Sequence, residues 1–269
     1  MAVNRWYHSP MQIGVLHSLP LVIVLSACQS PPLPPGTHQE FVCSIGETQV
    51  CIRVDEYPGS DLVFINLHDD ENTGVEAGLR LIQEKGGRLI QLEHDGNRLI
   101  SFVSDANEFK FDPNRMFTDK GARRTLENEG EFSETAFHVV RQFADKVLSI
   151  CRFNELGLIV TIHNNGNLGY SAESYTSGAI YETDALKVHL GPDADADDFF
   201  FVTELSTFNY LIDKGFGVVL QDNEKVTDDG SLSVLAGRRG IPYINVEAEE
   251  GHFQSQLKML REVYALYGN

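Results

Sequence analysis

Between residues 61 and 267 this chain alternates short β-rich runs with longer stretches of helical spacing, and no other feature narrows its fold as much. Asp61-Leu62-Val63-Phe64-Ile65-Asn66-Leu67 has the branched and aromatic character of a buried strand. Over residues 74–85, Val75, Leu79 and Ile82 recur at helical spacing, and Gly86-Gly87 supplies a stop. Residues 88–92 and 99–103 read as two strands around an Asp95-Gly96 turn. A long helix is expected over 133–152, with Phe137, Val140, Phe143, Val147 and Ile150 along one side. Further strands are expected at 157–162, 216–220 and 241–246, and further helices at 203–214 and 253–267. Such alternation predicts an α/β fold, with a mostly parallel, mixed central sheet and helices on both faces.

The chain has 269 residues, of which 42% are hydrophobic and 22% charged, which is ample for one full core. Its formal net charge of −18 makes it a poor partner for nucleic acid. One long apolar run, from Met11 to Ala27, precedes the fold. It is short for a spanning helix and suits the core of a signal peptide. The run ends in Leu25-Ser26-Ala27-Cys28, which resembles the lipobox of bacterial lipoproteins. That resemblance implies a signal peptide over 1–27, a lipid on Cys28 as the membrane contact, and an exported protein anchored at a periplasmic or cell-surface face. Pro31-Pro32-Leu33-Pro34-Pro35-Gly36 reads as a semi-rigid spacer, so the lipidated Cys and its tether are assigned to 28–40 and the catalytic domain to 41–269.

Cys43 and Cys51 flank a seven-residue segment with a Gly turn, where two short strands could carry a disulfide in an oxidising compartment. Cys151 sits in an apolar helical pattern and reads as a buried free thiol. The acidic stretch 193–198 reads as a solvated loop.

The chemistry collects at strand ends. His68-Asp69-Asp70-Glu71 directly follows the first strong strand, and ligands in open α/β sheets bind beyond the carboxyl ends of strands. The H-x-x-E spacing lets one turn aim an imidazole and a carboxylate at one point. His163 also ends a strand and enters Asn164-Asn165-Gly166-Asn167, so it can supply a third ligand. Two imidazoles and a carboxylate suit a catalytic Zn²⁺, one per chain. Asp69 or Asp70 could orient a ligand histidine. Arg98 follows the Asp95-Gly96-Asn97 turn, Asn114-Arg115 follows Pro113, and Glu247 ends the strand Tyr243-Ile244-Asn245-Val246. Glu249 and Glu250 compete with Glu247 but fit a loop, and His252 reads as a helix-start residue. Tyr170 and Tyr175 could line a pocket or only pack.

The order H-x-x-E, Arg, Asn-Arg, strand-terminal His, strand-terminal Glu resembles the zinc carboxypeptidase superfamily, including its succinylglutamate desuccinylase and aspartoacylase branch. The resemblance spans roughly residues 60–255. It implies that His68, Glu71 and His163 are zinc ligands and that Glu247 is the general base. It further implies that Arg98 polarises the scissile carbonyl and that Asn114 and Arg115 hold a terminal carboxylate. The family's mobile tyrosine has no counterpart here, where an ungapped reading places Lys225. The expected activity is zinc-dependent amide hydrolysis of carboxypeptidase type on a peptide with a free carboxylate. At an envelope location that substrate would be a peptidoglycan stem peptide. The alternatives are a zinc-dependent N-acyl-amino-acid deacylase, and a non-catalytic lipoprotein that holds a peptide end.

Overall fold

The computed structural model describes Met1 and residues 35–166, 169–191 and 195–268. Chain contacts separate residues 1–32 from residues 33–269, and all the described secondary structure belongs to the second unit. The apolar run, the lipobox-like Cys28 and most of the proline spacer lie outside the described residues. Among the described residues no helix is long and apolar enough to cross a membrane.

The fold is α/β. Eleven strands occur among the described residues: β1 (Thr37–Ile45), β2 (Thr48–Tyr57), β3 (Val63–Asn66), β4 (Gly87–Glu93), β5 (Ile100–Ser104), β6 (Asn107–Phe111), β7 (Ile159–Asn165), β8 (Ala185–His189), β9 (Phe199–Val202), β10 (Gly217–Gln221) and β11 (Tyr243–Glu249). Nine of them form one mixed sheet in the order β1-β2-β4-β3-β7-β11-β9-β10-β8. Its centre, β4-β3-β7-β11, is parallel, and antiparallel strands extend it on both sides. The helices are α1 (Asn72–Lys85), α2 (Asp119–Glu129), α3 (Glu134–Ile150), α4 (Leu205–Asp213), α5 (Leu232–Arg239) and α6 (Phe253–Tyr267). Side chains of α1, α4 and α6 pack with one face of the sheet, and those of α2, α3 and α5 with the other. Central strands covered on both faces lose the polar alternation of a half-exposed strand, which is why β3, β9 and β10 are buried at every position.

Three features differ from expectation. Residues 88–92 and 99–103 do not form a hairpin: β5 pairs with β6 in a separate two-stranded sheet. The reason is that β2 and β3 occupy both edges of β4, so β4 has no hydrogen-bonding edge left for β5. The sheet begins at Thr37 rather than at residue 41. Thr37 to Glu40 pair with Arg53 to Glu56, an exposed polar edge that hydrophobic alternation does not reveal. Cys43 and Cys51 are free. Cys43 stands opposite Val50 and Cys51 opposite Val42, so the two thiols project from opposite faces of the hairpin and cannot bridge. Cys151 is also free, and burial pushes its thiol up to about 12.

Two glycines let α1 lie close on the sheet. A Cβ at Gly74 would stand 2.6 Å from Ile162 Cγ2, and one at Gly78 would stand 2.9 Å from Ile162 Cδ1. That close approach brings the start of α1 to the end of β7.

Candidate active site

His68 lies two residues beyond the end of β3, and Glu71 occupies the N-cap position of α1. An N-cap side chain ordinarily bonds a free helix N–H. Glu71 makes no such bond, and Asn164 Oδ1 accepts the Gly74 N–H instead at 2.8 Å. The amide of Asn164 also donates to Ala248 O and Gln256 Oε1, tying α1, β11 and α6 together beneath the site. Glu71 is thereby free to turn inward.

His163 lies on β7, the parallel strand beside β3, and its ring meets the other two groups. His68 Nδ1 is 2.7 Å from Glu71 Oε1, His163 Nδ1 is 2.9 Å from Glu71 Oε2, and the two Nδ1 atoms are 3.1 Å apart. All three side chains are buried. Burial alone would favour the neutral forms of His68 and Glu71. The charges of Glu71 and Asp112 prevail at His68, holding it up at about 9, and the two imidazoles hold Glu71 well below the usual carboxylate range.

The donor set tests well as a metal centre. Its ligand atoms lie within 4.8 Å of one another. His68 Nε2 lies 2.8 Å from Asp112 Oδ1, and a carboxylate there holds the proton on Nε2 and turns the Nδ1 lone pair toward the cluster. The orienting carboxylate is therefore Asp112, not Asp69 or Asp70. Asp69 Oδ2 instead accepts the His94 and Gly96 N–H groups at 2.7 Å each, and Asp70 touches neither imidazole. Asn66 Nδ2 donates to Glu71 Oε2 and to Ile162 O, and Asn114 Nδ2 approaches His163 Nε2 at 3.4 Å.

The cluster opens into a cavity of about 900 Å³ that also contains Arg98, Asn114, Arg115 and Glu247 in its lining. Glu247 stands beside His163 in the register of β11 with β7. A relay of hydrogen bonds fixes it: Thr161 Oγ1 donates to Asn245 Oδ1 at 3.1 Å, and Asn245 Nδ2 donates to Glu247 Oε1 at 2.8 Å. Burial, helped by the charge of Glu71 and opposed by His163, raises its pKa. Arg98 Nη1 donates to Glu71 Oε1 at 2.8 Å, and its side chain remains partly exposed. Arg115 ends a single 3₁₀ turn, Pro113–Arg115, with its Nη1 donating to Asn114 O at 2.8 Å and lying 3.4 Å from Asp229 Oδ2. Tyr170 and Tyr175 line the cavity together with Tyr181 and Tyr243, their hydroxyls 2.8 Å apart in the first pair. Lys225 does not reach it: its ammonium pairs with Asp222 at 3.3 Å on the exposed side. His252 occupies the N-cap position of α6 without a capping side-chain bond and pairs with Asp198 and Glu249. Asp198 is buried and accepts the Glu249 N–H, so the end of the acidic stretch is structural rather than solvated.

Sequence reasoning missed Asp112, Asp229, Asn66 and Asn245. Asp112 had one available signal, its place two residues before Asn114 in Asp112-Pro113-Asn114-Arg115. Asp229 opens the segment Asp229-Gly230-Ser231-Leu232, which resembles the family's stretch before the strand-terminal Glu, but its pairing with Arg115 was not foreseen; Asn66 and Asn245 carried no signal, because their partners are set by strand register.

Among solved structures the chain is similar to N-formylglutamate amidohydrolase from Ralstonia eutropha JMP134, at 16% identity and a TM-score of 0.36, over 78% of this chain and 94% of that one. No family model and no curated protein matches the sequence.

Proposed function

We propose that this chain is a zinc-dependent amide hydrolase of carboxypeptidase type. The observation that carries this reading is the convergence of His68, Glu71 and His163, with Glu71 and His163 in the wall of a cavity that Glu247, Arg98 and Arg115 also line. His68, Glu71 and His163 would hold the metal. Bound there, zinc supplies Lewis-acid polarisation of an amide carbonyl and makes water a better nucleophile near neutral pH.

The chain's own residues do the rest. Glu247 is a buried carboxylate whose raised pKa suits it to take a proton from water and return it to the leaving nitrogen. Arg98 uses one N–H on Glu71, and its other donors are available to a developing oxyanion, an effect worth about 3–4 kcal/mol for a single donor. Arg115 is held by Asn114 O and Asp229, so its guanidinium is preset to grip a free carboxylate as a fork. That grip restricts attack to a chain end or a free amino acid. Together with a lipid anchor on Cys28, it makes a peptidoglycan stem peptide the substrate we favour over a free acyl amino acid.

The test is metal content followed by substrate. The purified chain should carry about one zinc, and His163→Ala should carry none. The zinc-loaded protein should trim muropeptides with a free terminal carboxylate, detected by mass spectrometry. A chain that takes up no zinc after reconstitution defeats the metal reading. A zinc-loaded chain that cuts acyl amino acids and leaves muropeptides intact defeats the substrate assignment.

A further inference from the structure

Tyr243, Asn245 and Glu247 alternate along β11, so all three face the cavity, and Ile159, Thr161 and His163 stand beside them on β7. On the other side of β11, Phe201 stands beside Asn245 and Phe199 beside Glu247. A phenylalanine ring offers no hydrogen-bonding group, so the Asn245 amide finds its partners toward β7 or along β11 itself. Tyr243 is pinned through its backbone: its N–H donates to Thr203 Oγ1 at 2.9 Å, and its carbonyl accepts the Thr203 N–H at 3.1 Å.

The supply of protons fixes the direction of every bond in this row. An ionised carboxylate only accepts, so Asn245 must turn Nδ2 to Glu247 Oε1, 2.8 Å away. Asn245 Oδ1 then faces Thr161 Oγ1 at 3.1 Å and takes its one proton. Tyr243 Oη lies 2.6 Å from Thr161 Oγ1, and with the threonine proton already committed the phenol has to be the donor. The result is a one-way relay from Tyr243 through Thr161 and Asn245 to Glu247, with all four side chains buried. It occupies Oε1 of the base. Oε2 makes no hydrogen bond among the described residues and keeps solvent access, so it is the oxygen open to water in the cavity.

We propose that Tyr243 and Thr161 are positioning residues for the general base: by holding the Asn245 amide with its nitrogen toward Glu247, they keep Oε1 bound and Oε2 aimed at the attacking water. This inference rests on the amide-hydrolase reading. Without the threonine hydroxyl, Asn245 Oδ1 becomes a buried acceptor with no donor, and the amide loses the bond that chooses between its two orientations. Rotated by half a turn, it would set its oxygen against the Glu247 carboxylate and push that side chain off its line. Tyr243 and Thr161 act through Glu247 and not on the substrate, so their loss should fall on kcat rather than on KM.

The experiment uses the zinc-loaded full chain and whichever of the muropeptide and acyl-amino-acid substrates the wild type cleaves. Thr161→Val should lower kcat by about tenfold or more with KM and zinc content unchanged, since misplacing a reacting group by about 1 Å can cost about 10²-fold. Tyr243→Phe should lower kcat less, and Thr161→Ser, which restores the hydroxyl, should recover most of the loss. In a Glu247→Gln background Thr161→Val should cost no further activity, because residues that act as a unit are not additive. An unchanged kcat in Thr161→Val, an equal loss in the Glu247→Gln background, or a Thr161→Ser chain as slow as Thr161→Val overturns the inference and leaves the hydrolase reading standing. If the wild type cuts nothing, the hydrolase reading fails, and the relay is judged from the Asn245 side-chain amide signal in NMR spectra, identified by its loss in Asn245→Ala. That signal should move in both Thr161→Val and Glu247→Gln and stay in place in Thr161→Ser. A signal indifferent to Thr161→Val overturns the inference.

Discussion

Asp112→Asn isolates a single charge behind the first ligand histidine. Asp112 Oδ1 lies 2.8 Å from His68 Nε2 and accepts the Asn114 N–H at 2.8 Å. An asparagine oxygen can accept both, so the variant removes charge and keeps the hydrogen bonds. Burial pulls the His68 pKa down, while Glu71 and Asp112 pull it up from 6.5 to about 9, so the ring without metal is protonated at neutral pH. Losing the Asp112 charge lowers that pKa. It also weakens the ring as a ligand, and loss of such a partner costs about 10- to 100-fold in metal affinity. The two effects oppose each other below pH 9, where metal must displace the proton. Apparent zinc affinity of the wild type should therefore climb about tenfold per pH unit from pH 7 to 9, as one proton is released. The variant should level off at lower pH. Chelator-buffered zinc titrations at pH 7, 8 and 9 read the gap between the two proteins. It should be small at pH 7 and approach about 10- to 100-fold at pH 9. A gap that is constant with pH, or that widens toward acid, refutes the reasoning.

Glu247→Gln should lower kcat by about 10²–10⁴-fold with zinc content unchanged, as loss of a general base does. Arg115→Lys keeps the charge but loses the fork, so KM should rise about tenfold or more while kcat changes little; steady-state kinetics on a carboxylate-ended substrate and on its amide would show it, and an unchanged KM would remove Arg115 from substrate binding. Gly74→Ala would force a methyl to within 2.6 Å of Ile162 Cγ2 and should destabilise the fold by about 1–3 kcal/mol. Thermal unfolding checks this, and an unchanged Tm would mean that α1 can shift without cost.

Much of the architecture was legible because it rests on local patterns. Helix α6 spans 253–267 as its spacing predicts, and β7 and β11 lie close to the runs that suggested them. His68 and His163 stood out because each ends an apolar run, and in parallel neighbours such ends meet at one edge of the sheet. Where reasoning from the sequence failed, the deciding contact was distant. Asp69 and Asp70 are adjacent to the ligands in sequence, but the loop after β4 claims Asp69, and Asp112 comes to His68 from 44 residues away. Lys225 matched by ungapped position, yet the turn after β10 carries it to solvent beside Asp222.

The sequence by itself determined the alternation of elements, the excess of acidic charge and the residue types able to ligate a metal, since hydrophobic periodicity and side-chain chemistry are carried by each segment alone. The tertiary structure decided which of those groups face one another. Strand register sets Glu247 beside His163 and puts Cys43 and Cys51 on opposite faces. Register is a property of paired strands, and a shift of one residue would turn every one of those side chains to the other face of the sheet.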